Sequence, residues 1–368
     1  MRRLRRSRRA RFLVHTSTLK APIPMTAEIT FTAGKAEIAY TGDTPWWGGG
    51  QKLPLGASHQ EWLDAAGMAW TIASDLVRFR APDGTLLTDP SHVVQFRSDT
   101  FAPLGVVGPK FQTVQPREIL EYFNNLAHDA GFQLTTAGTL FGGRKFWGQA
   151  ENGAAAAVLD PRDQVKSHLL LATACDGSMS TVAKFVNTRV VCNNTLTLAL
   201  GENGKQVKVS HKTQFNADFV NEALGLRAKE QFAVAMERFR AMATARVSPG
   251  AMVRATLELY EPQASELDEA GVIKALQGRQ IGKILNQDLI GKDLDGGAGT
   301  VWAWLNAVTQ YIDHDNGART IDRRFQTALF GAGEATKIAA DRLADQLLVG
   351  PLPPLAISND AALNVALA

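Results

Sequence analysis

QLTTAGTLFGGRKFWGQ, Gln133–Gln149, reads as two strand-like runs joined at Gly142-Gly143, and paired glycines supply the positive φ that a tight hairpin turn needs. The pattern recurs downstream, where His168–Ala174 and Ser180–Thr188 flank the second turn signal, Asp176-Gly177. Two hairpins in succession predict antiparallel pairing. Upstream, Ser58-His-Gln-Glu61 is a capping box: the hydroxyl accepts from the first turn and the carboxylate reaches back. Trp62, Leu63 and Ala66 follow, and Gly67 stands at the C-cap. His92–Ser98 and Leu104–Gly108 are further strand candidates. Pro116 then opens a second helix, with Ile119, Leu120, Phe123 and Leu126 on one face and Gly131 as its stop. Hairpins interspersed with short helices predict an α+β fold rather than a doubly wound parallel sheet.

After Val207–His211, a last strand-like run, the period becomes helical. Phe232, Met236, Phe239 and Ala243 recur at spacings of four and three, and Pro249-Gly250 and Glu261-Pro262 break the run. Thr300–Asp313 carries Val301, Trp304, Leu305, Val308 and Ile312 on one stripe. A chain of 368 residues exceeds what one core usually serves. The expected division is a basic extension over 1–24, an α+β domain over 25–212, a helical region over 213–348 and a loosely ordered tail over 349–368.

With 45% apolar and 20% charged residues and no apolar run of membrane-spanning length, the composition is that of a cytoplasmic globular protein with no membrane partner. The two cysteines, Cys175 and Cys192, are expected as free thiols in a reducing compartment. The net charge of +3 is concentrated at one end. Residues 1–24 hold eight of the 39 Lys and Arg and none of the 36 acids, so the remainder carries −5. SRRARFLV, Ser7–Val14, is not followed by the apolar region an export signal needs, and MTAEITF at Met25 opens with a strand pattern. The extension reads as an upstream addition, with a basic nucleic-acid arm as the alternative.

Catalytic motifs are weak. Gly48-Gly49-Gly50-Gln51-Lys52 lacks the spacing and hydroxyl of a phosphate loop, and the seven histidines include no pair at metal-binding helical spacing. Asp313-His314-Asp315 points three neighbouring side chains in different directions. Cys175-Asp176-Gly177-Ser178 reads as a turn before a nucleophile, since no base adjoins the thiol. No catalytic residue, metal or cofactor is expected. The mixed basic and aromatic hairpins are more suggestive: Arg144, Lys145 and Trp147 in one, Lys184, Phe185 and Arg189 in the other. Cations that follow phosphates beside rings that stack on bases make a single-strand binding face. In KFVNTRVVCNNTL, Lys184–Leu196, the asparagines suit a helix start. Arg189 among valines must find a carboxylate, a carbonyl or a ligand.

TPWWGGGQKLP (44–54), SDTFAPLGVVGPKFQTVQPRE (98–118), AGTLFGGRKFW (137–147), CDGSMSTVAKFVNTRVVCNNTL (175–196), GTVWAWLNAVTQYIDHDNG (299–317) and RFQTALFGAGEATKIAADRL (324–343) together resemble the phage/plasmid-like protein family, a domain of unknown function of bacterial prophages and plasmids. The resemblance runs from about Ala36 to Leu347. Two departures matter: the family often has histidine where Trp47 and Cys175 stand, and leucine at Gly49, which weighs against any histidine-based chemistry here. The family is itself uncharacterised, and its genetic setting implies DNA maintenance or recombination. The expectation is a non-specific single-stranded DNA-binding or annealing protein, acting as a homo-oligomer, through Arg144, Lys145, Trp147, Lys184, Phe185 and Arg189. Lys110, His211 and Lys212 are secondary candidates. The alternatives are an enzyme with a polar pocket around Asp176, Ser178 and Asn193, or a helical host or phage protein-interaction module.

Overall fold

The computed structural model describes residues 31–32, 34–42, 45, 49–192, 194–196, 206–224, 228–286, 289–317, 320–350, 352–353 and 355–367. The basic extension 1–24, Trp46 and Trp47 of the 44–54 motif and Asn193 therefore lie outside the described residues. In chain order the elements begin with the short strands β1 (Phe31–Thr32), β2 (Lys35–Ala36), β3 (Ile38–Tyr40) and β4 (Gln51–Lys52), then helix α1 (His59–Ala65). A three-stranded sheet follows, β5 (Ile72–Arg80), β6 (Leu86–Arg97) and β7 (Pro103–Val107), then α2 (Pro116–Ala130). Next come β8 (Gln133–Leu140), β9 (Lys145–Ala157), β10 (Gln164–Ala174), β11 (Thr181–Arg189), β12 (Asn194–Leu196) and β13 (Gln206–Val209).

The rest is helical: α3 (Ala217–Leu224), α4 (Ala228–Thr244), α5 (Pro249–Tyr260), α6 (Glu269–Leu276), α7 (Arg279–Asn286), α8 (Val301–Gln310), α9 (Ile321–Phe330), α10 (Ala332–Val349) and α11 (Asn359–Leu367). The fold has both sheet and helix, as the hairpin and helix patterns predict. The capping box of α1 forms, with Glu61 accepting from the Ser58 backbone, and Gly131 ends α2 in the left-handed conformation.

β8 to β11 form an antiparallel meander with β12 and β13 side by side on the far edge of β11 and β3 and β4 beyond β8. Leu169, Leu170, Leu171 and Ala172 are all buried, so successive residues on β10 face opposite cores. Leu169 and Leu171 join Phe146, Ala183 and the inward residues of α1, α2 and α3. Leu170 and Ala172 join Trp147, Val186 and Phe325 and Leu329 of α9. Each fully buried large side chain contributes roughly 1.5–3 kcal/mol. Gly148 lets α2 lie close to β9, because a Cβ there would meet the Phe123 ring at 2.7 Å.

The helical half is bound to the sheet by buried cations. Arg189 is fully buried; its Nε and Nη2 donate to Asp163 Oδ1 and Oδ2 at 2.6 and 2.8 Å, and its Nη1 to the Ile290 carbonyl at 3.2 Å. Trp302 of α8 donates to the same Asp163 carboxylate at 3.1 Å. Nearby, a single π-turn, Tyr311–Asp315, continues α8 and carries buried Asp313. Asp313 Oδ2 accepts from the Thr195 amide and hydroxyl, both at 2.8 Å, and its Oδ1 accepts from Lys337 of α10 at 2.9 Å. Lys184 reaches Glu334 and the Leu329 carbonyl. Around these pairs, Val158, Val165 and Leu196 share one core with Phe239, Trp302 and Trp304.

Two expectations change. Asn194 and Thr195 do not open a helix: they form β12, paired with Arg189 and Thr188, because side chains from α8 and the π-turn satisfy them. The tail holds α11, whose Ala362 is fully buried against α5 and α6 residues; its apolar spacing is too short to read as a period. The strand β5 and the outer half of β6 carry no sequence signal, because both faces of this hairpin mix apolar and charged residues.

Removing one partner of a buried, hydrogen-bonded ion pair costs about 3–5 kcal/mol, while replacing both by apolar groups restores much of it. Arg189→Met should therefore lower the urea midpoint sharply, and Arg189→Met with Asp163→Leu should recover most of the loss. A midpoint unchanged in the single variant would mean the pair does not hold the seam.

Candidate nucleic-acid interface

Three turns meet at one end of the main sheet. The β6–β7 turn, Ser98–Ala102, is anchored by Arg97, whose guanidinium lies between Glu37 (2.7 and 3.0 Å) and Asp99 (2.9 and 3.0 Å) and 4.3 Å from the Trp70 ring centroid. The Arg97 Nη1 also points at the Gly142 carbonyl of the β8–β9 turn, 3.5 Å away. That turn is bonded to the start of the β10–β11 turn, Cys175 N–H donating to the Arg144 carbonyl at 2.9 Å. β7 abuts the same place, since a Cβ on Gly105 would sit 2.8 Å from the Asp176 Cα.

His211 adds a fourth segment to this rim. It stacks on Phe111 with centroids 4.3 Å apart, and its ring nitrogens lie 2.9 and 3.1 Å from the Gln112 and Met179 carbonyls. Lys110 and Lys212, on either side of this contact, are exposed.

Two phenylalanines on the rim have backbone conformations that bulky residues rarely adopt. Phe101 has φ 57° and is 75% exposed; Phe141 has φ 54° and is half-buried. A left-handed conformation costs a bulky residue on the order of 1–3 kcal/mol and persists only where the surroundings enforce it. At Phe141 the enforcing contact is its N–H donated to Asp322 Oδ2 at 2.7 Å. At Phe101 it is the tight turn whose N–H returns to the Arg97 carbonyl at 3.0 Å. The result is an apolar ring turned outward.

The sequence candidates divide between rim and interior. Arg144 is exposed, and Lys145 is half-buried with its ammonium 2.8 Å from Gln326 Oε1 and 5.8 Å from the Phe141 ring. Burial pulls the Lys145 pKa down and nearby Asp176 opposes that. Trp147, Lys184 and Arg189 are internal. Trp147 packs on Phe325 at 4.5 Å, Lys184 pairs with Glu334, and Arg189 with Asp163. Phe185 packs against the α2 side of the sheet. The shared strand face of Lys145 and Trp147 is real, but α9 buries Trp147 on it and leaves only Lys145, at its margin, half-exposed, so the expected open stacking face does not exist there. Phe101 was missed because nothing in Thr-Phe-Ala-Pro signals a positive φ.

Where they are described, the residues of the enzyme alternative form a turn. Asp176 Oδ1 accepts from the Ser178 amide at 2.9 Å across Gly177, φ 77°, which is a turn closing on itself, and Asn193 is outside the described residues. Cys175 is buried with its thiol on the Arg144 carbonyl at 3.3 Å, and burial pushes its pKa up to about 12, far from thiolate reactivity. Asp313 and His314 diverge, the first to Lys337 and Thr195 and the second to the Cys192 carbonyl at 3.1 Å.

Residues 103–329, more than half of the chain, match the family model described as a domain of unknown function, DUF932. The chain belongs to the DUF932 family. No curated protein and no solved structure matches it. The DUF932 segment begins at β7 and ends in α9, so it contains the β8–β9 and β10–β11 turns and both Lys184 and Arg189. Phe101 and the Arg97 anchor precede it, and Lys337 follows it. No helix among the described residues is long and apolar enough to cross a membrane.

Two solution tests follow from the buried groups. Both thiols are buried, and Cys192 is likewise pushed up, to about 11, so a disulfide-exchange reagent at about pH 8 should titrate neither in the native protein and both after denaturation. His168 is buried with its pKa lowered to about 4 by desolvation. Between that value and 6.5 the unfolded chain binds a proton the native state refuses, so stability falls as pH drops through this window, by roughly 3 kcal/mol at most. His168→Leu should flatten the dependence of the urea midpoint on pH between 4 and 6.5; an unchanged slope would exclude His168 as its source.

Proposed function

We propose that this DUF932 protein binds single-stranded DNA without sequence preference along the rim where the three turns meet. Exposed, strained Phe101 is the observation that carries the reading, because a rigid exposed ring is a stacking platform. In this reading Phe101 and the open edge of Phe141 stack on bases. Arg144 and Lys145 follow phosphates, with Lys110 and Lys212 extending the track past the His211 contact. Trp147, Lys184, Phe185 and Arg189 support the strands and make no ligand contact.

Away from the rim the protein is acidic, so affinity depends on this clustering, opposed locally by Asp99 and Asp176. The motif resemblance supports a role in mobile-element DNA maintenance or recombination, and two buried free cysteines support a cytoplasmic setting.

Fluorescence anisotropy with a labelled oligonucleotide tests this, on the full chain and on residues 25–368 so that the arginines of the extension are counted separately. Residues 25–368 should bind at low salt and weaken steeply as salt rises. Arg144→Ala and Lys145→Ala should each reduce the slope of log affinity against log salt by about 1. Phe101→Ala should cost about 1–3 kcal/mol with the slope unchanged. Absence of binding by residues 25–368 at low salt would end the proposal.

A further inference from the structure

At the end of β8 away from the rim, α1 and α2 close on a cavity of about 270 Å³. Trp62 of α1, Phe123 of α2 and Phe132, just before β8, form its walls, and all three are buried. His59, Asn124 and Gln133 add polar edges, and among the described residues no Asp, Glu, Lys or Arg lines it. Concave, mainly aromatic walls with a few polar groups are the make-up of a small-molecule site. Size narrows the occupant: a cavity of roughly 150 Å³ accommodates benzene, so this one has room for a second fused ring. The uncharged lining disfavours an ion, which would lose its hydration there without meeting a counter-charge.

His59 supplies the polar contact. Its Nε2 is closed to solvent and has no hydrogen-bond partner, a condition that folded proteins rarely leave unmet. Burial pulls the His59 pKa down, with Glu121 opposing and Arg117 assisting, so near pH 7 the ring is neutral and offers one acceptor nitrogen. Leu55 stands at the mouth: it lines the cavity while 78% exposed, so its side chain gains burial when a ligand sits beneath it.

We propose that this cavity binds a neutral, bicyclic heteroaromatic molecule of indole size, whose rings lie against Trp62, Phe123 and Phe132, whose N–H donates to His59 Nε2 and over which Leu55 folds. From Leu134 at the cavity to Phe141 at the rim is roughly 20 Å of strand. The site is therefore separate from the rim, and the inference does not depend on DNA binding.

Titration calorimetry of the full chain with indole tests this, and saturable binding with a Kd on the order of 100 μM is expected. Benzofuran, of the same shape without the N–H, should bind roughly three- to tenfold more weakly, which is what one hydrogen bond yields. His59→Leu should erase that difference. Ala57→Phe, which fills the cavity from its wall, should abolish binding of both compounds. Leu55→Ala should weaken both several-fold and leave the fold intact, because that side chain is exposed. No saturable binding of indole below about 1 mM would overturn the proposal. Indole binding that is indifferent to both Leu55→Ala and Ala57→Phe would overturn it by placing the ligand elsewhere, and equal affinity of the native protein for indole and benzofuran would overturn it by removing the N–H contact.

Discussion

The Asp163–Arg189 pair sits where the sheet and the helical half touch, and the rest of the architecture depends on it. A carboxylate and a guanidinium, both fully buried, survive the loss of water because each nitrogen and each carboxylate oxygen has a partner: two parallel bonds between them, a carbonyl from Ile290 and the indole N–H of Trp302. Those conditions fix the position of α8 against β11. The Asp313–Lys337–Thr195 cluster repeats the device at β12, and Lys184–Glu334 repeats it at α10. Such pairs contribute little net stability relative to an apolar core, but they admit one arrangement and penalise any slip.

Because those cations face inward, the outward chemistry is left to the turns. The β6–β7, β8–β9 and β10–β11 turns come from separate stretches of sequence and converge through backbone contacts, Arg97 to Gly142 and Cys175 to Arg144. Arg97 is the fixed point of that end, with Glu37 accepting from it, from Thr139 and from Thr32. The rings and cations on the rim therefore stand on rigid supports, which lowers the entropy a flexible ligand would have to pay for alone.

The β5–β6 arm is a different kind of feature. Its pairing shifts register between Leu76 and Val77, and both faces are wet and mix leucine and phenylalanine with arginine and aspartate. A pattern search for one apolar face finds none, which is why Ile72–Arg80 was invisible while His92–Ser98, whose inner residues pack on the body, was not.

What the sequence determined by itself was local: the two glycine turns, the capping box at Ser58, Pro116 and Gly131 around α2, and the apolar stripes of α4 and α8. Each rests on backbone angles or hydrogen bonds spanning a few residues, so the chain carries the whole signal. It also required that Arg189 find a partner, because a buried guanidinium cannot stay unpaired. Only the tertiary structure decided that the partner is Asp163 rather than a ligand, that α9 covers Trp147, and that Phe101 is exposed. Those outcomes depend on which distant segments reach the same place. Residue type limits that meeting without choosing it, because a cation or an aromatic ring is satisfied equally by a core, a partner or a ligand.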